Sequence, residues 1–178
     1  SIYPQVRKFL LPKLETGKYK RLELVDLFGG DGEFVERMLS SLERVSTDFH
    51  CNIVDLNKSS LSVAQKRFTG SSTVLVHEPR DLTYEELFKG INYPPNVVTV
   101  LGGLCADVLS RNEALSIANK IYQGISPEGL FVLSGYTPIL LNATDFVNLG
   151  FKVQNMSVPA NALARTLQHP YQLYILRK

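Results

Sequence analysis

Residues 22–34, reading L-E-L-V-D-L-F-G-G-D-G-E-F, pass from an apolar run into an acidic, glycine-rich turn and then into an amphipathic pattern. That order is a strand, a tight loop and a helix start, the place where open α/β sheets hold a nucleotide-like cofactor. Gly29, Gly30 and Gly32 carry no Cβ, so the main chain can bend sharply there and approach a ligand closely.

The charges in the turn discriminate between ligands. In a pyrophosphate-binding loop, Asp31 and Glu33 stand near an anion and are repelled by it. A ligand end that bears an ammonium and a sulfonium is attracted instead. The turn therefore suits S-adenosylmethionine better than NAD, FAD or ATP.

The rest of the chain alternates strands with helices. Ile2 to Leu14, interrupted by Pro4 and Pro12, reads as a leading helix with Val6, Phe9 and Leu10 on one face, followed by a basic turn through Lys18, Lys20 and Arg21. Strands are expected at Leu22 to Phe28, His50 to Leu56, Ser72 to Val76, Val97 to Leu101, Leu130 to Ser134, Phe151 to Ser157 and Tyr171 to Leu176. Between them, helical spacing recurs from Phe34 to Leu42, Lys58 to Phe68, Tyr84 to Lys89, Arg111 to Gly124 and Asp145 to Leu149. This alternation predicts a three-layer αβα sandwich around a mostly parallel, Rossmann-like seven-stranded sheet. The last strand follows a loop of about a dozen residues without helical periodicity, so it is expected to run antiparallel to its neighbour.

With 178 residues, 44% of them hydrophobic, the chain can bury one good core, and a single domain over 1–178 is expected, its first 21 residues a leading helix or lid and a basic turn. The chain opens on Ser rather than Met, as a domain trimmed from something longer would. A net charge of +2 lacks the clustered basic excess of an obligate nucleic-acid binder, so nucleic acid is not indicated as a partner. Cys51 and Cys105 lack any CxxC spacing and read as reduced buried thiols, which suits a cytoplasmic setting. No run of about 18 apolar residues and no signal-peptide pattern is visible, so no membrane association is expected.

The motifs together resemble a class I S-adenosylmethionine-dependent methyltransferase along nearly the whole chain. Val25-Asp26-Leu27-Phe28-Gly29-Gly30-Asp31-Gly32 is similar to that family's first motif, hydrophobic-Asp-hydrophobic-Gly-x-Gly-x-Gly, with Phe28 in place of the first glycine. The resemblance implies that Asp55, ending the second strand, accepts hydrogen bonds from both ribose hydroxyls, and that Leu56 packs on the adenine. A carboxylate has lone pairs enough for a diol, and Asp55 lies about 20 residues beyond the turn, near the dinucleotide spacing. Arg80-Asp81-Leu82 stands where the family often places an acidic residue on the adenine amino group and an apolar one on its ring. Leu101, Gly102 and Gly103 end the fourth strand, where the methionine end of the ligand would meet the main chain. Ser126-Pro127-Glu128-Gly129-Leu130 resembles the structural turn before the fifth strand.

A catalytic group is not declared by sequence. Tyr136, just past the fifth strand, is a substrate contact or a packing tyrosine. His169, in the loop 159–170, is a base at the site's mouth or a solvated loop histidine. Asp107 is a base near Gly103 or, as we favour, a residue of a helix N-terminus. His50 and His77 read as packing or surface residues, and Tyr3 reads as a core-packing residue or one that closes over the cofactor, packing being favoured. No Asn-Pro-Pro-Tyr follows the fourth strand, the Tyr93-Pro94-Pro95 run preceding it, and Cys105 follows Leu104 rather than Pro. Both N-methylation of planar amides and cytosine C5 chemistry are thereby disfavoured. Glycines stand where metal-dependent catechol enzymes place an acid, so no metal is expected. The leading expectation is methyl transfer to a small molecule or a protein side chain. The alternatives are a catalytically inert cofactor- or protein-binding module of the same fold and, less favoured because of Asp31, a nicotinamide-dependent oxidoreductase.

Overall fold

A computed structural model describes residues 2–135, 139–157 and 172–178. The elements in chain order are α1 (Tyr3–Gly17), β1 (Leu22–Leu27), α2 (Glu33–Val45), β2 (Phe49–Val54), α3 (Lys58–Arg67), β3 (Val74–Val76), β4 (Val97–Leu101), α4 (Arg111–Gly124), β5 (Leu130–Gly135), α5 (Ala143–Leu149), β6 (Lys152–Ser157) and β7 (Gln172–Arg177). The seven strands form one sheet in the order β3-β2-β1-β4-β5-β7-β6. The first five are mutually parallel, and β7 runs antiparallel to both β5 and β6.

Strands covered on both faces need apolar residues on both, and every residue of β1 and β5 is buried. One face carries Leu24, Cys51, Ile53, Val97 and Val132 under α1, α2 and α3. The other carries Val25, Leu27, Val54, Val98 and Phe131 under α4 and α5. The edge strand β6, by contrast, alternates exposed and half-buried residues. These layers match the expected architecture, including the reversed last strand.

Local chemistry sets the helix ends. Ser110 and Glu113 form a reciprocal capping box at the start of α4, as Asn142 and Asp145 do for α5. α1 runs past Pro12 to Gly17, three residues beyond the expected end, because Val6, Leu10 and Leu14 at four-residue spacing bury one continuous face. Pro12 lies on the exposed side, where water can take the carbonyl that its missing N–H leaves.

Two expectations are overturned. The segment 84–89 is not a helix but a series of turns. The buried Arg80 guanidinium donates to the carbonyls of Glu86, Leu87 and Lys89 at 3.2, 3.2 and 2.9 Å and ties this run of turns to itself. Asp107 does not start α4, which begins four residues later with Ser110 as its cap. Strand ends also shift: β1 stops at Leu27 because Phe28 turns to φ 58°, and β2 stops at Val54, leaving Asp55 just beyond it.

Candidate functional site

Strand order reverses between β1 and β4, so the loops leaving those strands diverge and open a crevice at their carboxyl ends. The turn after β1 forms one wall. Gly29 donates its N–H to the Val54 carbonyl at 3.2 Å, and a Cβ on it would meet Asp26 and Ile53 atoms at 2.9–3.0 Å. Gly32, at φ 78°, caps α2, and a Cβ there would come within 2.6 Å of the Phe68 ring. Gly30, at φ 57°, has open space where its Cβ would be. Of the three glycines, two are therefore demanded by packing, whereas Gly30 leaves the backbone accessible from outside.

Asp55 joins β2 to this turn. Its carboxylate accepts from the Gly30 N–H at 2.8 Å through one oxygen and from the Asn57 N–H at 2.8 Å through the other. Each oxygen keeps a further lone pair, and Asp55 has no ion-pair partner among the described residues. The side chain of Leu56, which follows it, is 59% exposed.

Asp26 lies deeper in β1, level with Thr99 of β4. The Thr99 hydroxyl donates to its carboxylate at 2.5 Å. Burial pushes its pKa up from 3.8 to about 7, against the pull of the Thr99 hydrogen bond, and the charge of Asp55 pushes the same way as burial. A carboxyl that titrates near neutrality thus lies under the turn. Burial likewise raises the Cys51 thiol, again with the charge of Asp26 adding to it, so Cys51 stays a neutral, free core residue.

The electrostatic reading of Asp31 and Glu33 needs correction. The Arg67 guanidinium, at the end of α3, bonds Asp31 at 3.0 Å and also pairs with Glu36. Arg37 pairs with Glu33 one helical turn away, at 2.5 Å. Both loop acids are neutralised locally, and the unpaired negative charge facing the turn belongs to Asp55. Arg67 and Thr99 are the two residues that sequence reasoning missed. Thr99 left a trace, a lone hydroxyl in an otherwise apolar strand that must find a partner. Arg67, distant in sequence and at the end of a solvated helix, left none.

The other candidates separate. Leu101 is half-buried, and Gly102, at φ 109° with its N–H on the Ser134 carbonyl at 2.7 Å, faces open space. Gly103 differs: the Phe28 ring lies 2.3–2.9 Å from where its Cβ would stand. Phe28 therefore packs on the second glycine of the pair, and Gly102 alone offers an open backbone. Arg80 is buried with its donors on main-chain carbonyls, a structural tie rather than a ligand contact, and Leu82 is buried in the core. Asp81 accepts from the Thr83 hydroxyl at 2.6 Å and the Thr83 N–H at 2.9 Å, bonds that lower its pKa. Asp107 is exposed beyond β4. Tyr136, His169 and the loop 159–170 lie outside the described residues. Among the described residues no three His, Cys, Asp or Glu side chains gather as a metal site, and no helix is long and apolar enough to cross a membrane.

This sheet order, with its reversed seventh strand and its glycine turn after β1, is the class I methyltransferase fold. Solved structures of S-adenosylmethionine-dependent methyltransferases superpose on it over nearly their whole length. An S-adenosylmethionine-dependent methyltransferase from Clostridium acetobutylicum matches with a TM-score of 0.71 at 11% identity, covering 98% of this chain and 91% of its own. The N-methyltransferase NodS from Bradyrhizobium japonicum, solved with S-adenosylhomocysteine, matches with a TM-score of 0.67 at 11% identity, covering 99% and 87%. An rRNA methylase from Streptococcus thermophilus matches with a TM-score of 0.65 at 16% identity, covering 94% and 93%. No protein-family model and no curated protein sequence matches the chain.

Proposed function

We propose that the chain binds S-adenosylmethionine in the crevice between β1 and β4 and transfers its methyl group to a small molecule or a protein side chain. The observation that carries this reading is the Asp55 carboxylate, held against the Gly30 N–H with lone pairs to spare and no ion-pair partner among the described residues. An acid in that position can accept from a ribose diol, while the open backbone at Gly30 and Gly102 leaves room for an amino-acid tail. When bound, the cofactor supplies a methyl group on a sulfonium, open to in-line displacement. The task left to the protein is orientation: β1, β2 and β4 fix the turn, Asp55 and Gly102 relative to one another, and a rigid frame of that kind is where most of the rate gain in such a transfer arises.

Calorimetry with S-adenosylmethionine and S-adenosylhomocysteine tests the binding. Saturable heat is expected for both, and Asp55→Ala should weaken it by about 1–3 kcal/mol. No heat at millimolar ligand with an intact fold refutes the reading. A second reading, an inert module of the same fold, draws support from the Phe28 ring packed on Gly103. Transfer of labelled methyl from the cofactor by the pure protein to any acceptor excludes it.

A further inference from the structure

Between α1 and the start of α2 lies a groove of about 520 Å³ that shares no residue with the crevice, with the buried Phe34 and Met38 of α2 at its base. Its floor and sides are apolar: Tyr3 and Leu11 of α1 and Phe34 and Met38 of α2, with the Tyr3 and Phe34 rings 5.7 Å apart. This volume lies within the range of small-molecule sites, about 300–1,000 Å³.

Charge along the groove is graded. Tyr3, Arg7, Leu11 and Glu15 form one row at four-residue spacing on α1, so the basic and acidic members lie at different heights. Arg37 is already committed to Glu33 and lies 5.7 Å from the Tyr3 ring. Arg7 is exposed and has no ion-pair partner among the described residues, and the Lys8 ammonium beside it lies 5.7 Å from the centre of the Phe9 ring. A cation without a counter-ion beside an apolar hollow favours a ligand that brings both an anion and an apolar body. Glu15 repels an acid at the opposite end, which fixes the orientation of such a ligand.

We propose that the α1–α2 groove is a binding site for a small organic acid with an aromatic or branched apolar body, its anionic group on Arg7 and its body against the half-buried Tyr3 and Leu11. The site is independent of cofactor binding in the crevice.

Backbone amide NMR of the full chain tests this, with 2-naphthoate as the probe, uncharged 2-naphthalenemethanol as its control and a short oligothymidylate as competitor. Saturable shifts are expected at Tyr3, Arg7, Leu11, Phe34 and Met38, with the acid about tenfold tighter than the alcohol, the size of one charge-assisted hydrogen bond. Arg7→Gln should erase that preference and Arg7→Lys should retain part of it, whereas Leu11→Gln should weaken both ligands. Absent or unsaturable shifts, equal affinities, shifts centred on Gly30 and Gly102, or a preference that survives Arg7→Gln would each overturn the proposal. So would displacement of 2-naphthoate by oligothymidylate at lower concentration, which would make the groove a nucleic-acid surface.

Discussion

Asp26→Asn should stabilise the protein, and only above a defined pH. In the folded chain the Asp26 carboxyl is raised from 3.8 to about 7. Below about pH 4 it is protonated in folded and unfolded chains alike, and the fold bears no penalty. Between about pH 4 and pH 7 the unfolded chain has released the proton that the fold retains, so stability falls by about 1.4 kcal/mol for each pH unit. Above pH 7 the loss levels off after roughly three such units, near 4 kcal/mol. Asparagine at this position keeps an acceptor for the Thr99 hydroxyl but cannot ionise. Urea denaturation of the wild type and Asp26→Asn at half-unit steps from pH 4 to pH 8 isolates this group and its coupling to Asp55, because titrations of groups that do not interact with Asp26 cancel in the difference. The two curves should nearly coincide at pH 4 and diverge toward pH 7, the variant being the more stable. A gap of constant size across the range would show that Asp26 does not titrate there and would refute the burial argument. In an Asp55→Asn background the divergence should still begin near pH 4 but level off at lower pH and at a smaller gap, since the Asp55 charge contributes to the upward shift.

Gly32→Ala should cost about 2–4 kcal/mol by chemical denaturation, combining a positive φ with a clash on Phe68 and Ile53, whereas Gly30→Ala, with open space at its Cβ, should cost only about 1 kcal/mol. If the crevice holds a ligand, Gly30→Ala should nevertheless reduce cofactor affinity, and equal stability losses for the two variants would contradict the packing assignment. Ser110→Ala should remove about 1 kcal/mol through loss of the α4 capping box, measured by thermal melting. Arg67→Met should lower stability by no more than about 1 kcal/mol but speed hydrogen exchange of the amides from Gly30 to Glu33, because Asp31 loses the partner that holds the turn.

The fold is legible in the sequence wherever burial is two-sided. Val97–Leu101 and Leu130–Gly135 read as strands because covered strands must be apolar throughout. The Gly150 end of α5 is an equally local signal, whereas the start of α4 is misplaced at Asp107 although Ser110 and Glu113 carry its capping box. The 84–89 segment misleads for a non-local reason. Leu87 and Phe88 have a helical look, yet the segment folds as turns around the Arg80 guanidinium, and no spacing rule anticipates a buried cation that gathers carbonyls six to nine residues away.

At the site the same division holds, with a chemical consequence. Where Asp55 and Gly30 meet depends only on β1 and β2 lying side by side, so the order of motifs along the chain is enough to bring them together. The charge state of the turn depends on side chains arriving from α3 and from within α2, and Arg67 and Arg37 cancel the acids that first suggested a cationic ligand. Two carboxylates of the turn thereby become structural, while Asp55, just past β2, remains open to a ligand and Asp26 of β1 is buried beneath. Asp55 has no ion-pair partner among the described residues, and Asp26 is close to half ionised at neutral pH. A sulfonium or ammonium brought into the crevice would favour the ionised form of Asp26 and so release part of a proton. Calorimetry at pH 7 in buffers of different ionisation enthalpy reads that release directly. Heats of cofactor binding independent of buffer would place the cation beyond the reach of Asp26, leaving recognition to Asp55 and the open backbone of Gly30 and Gly102.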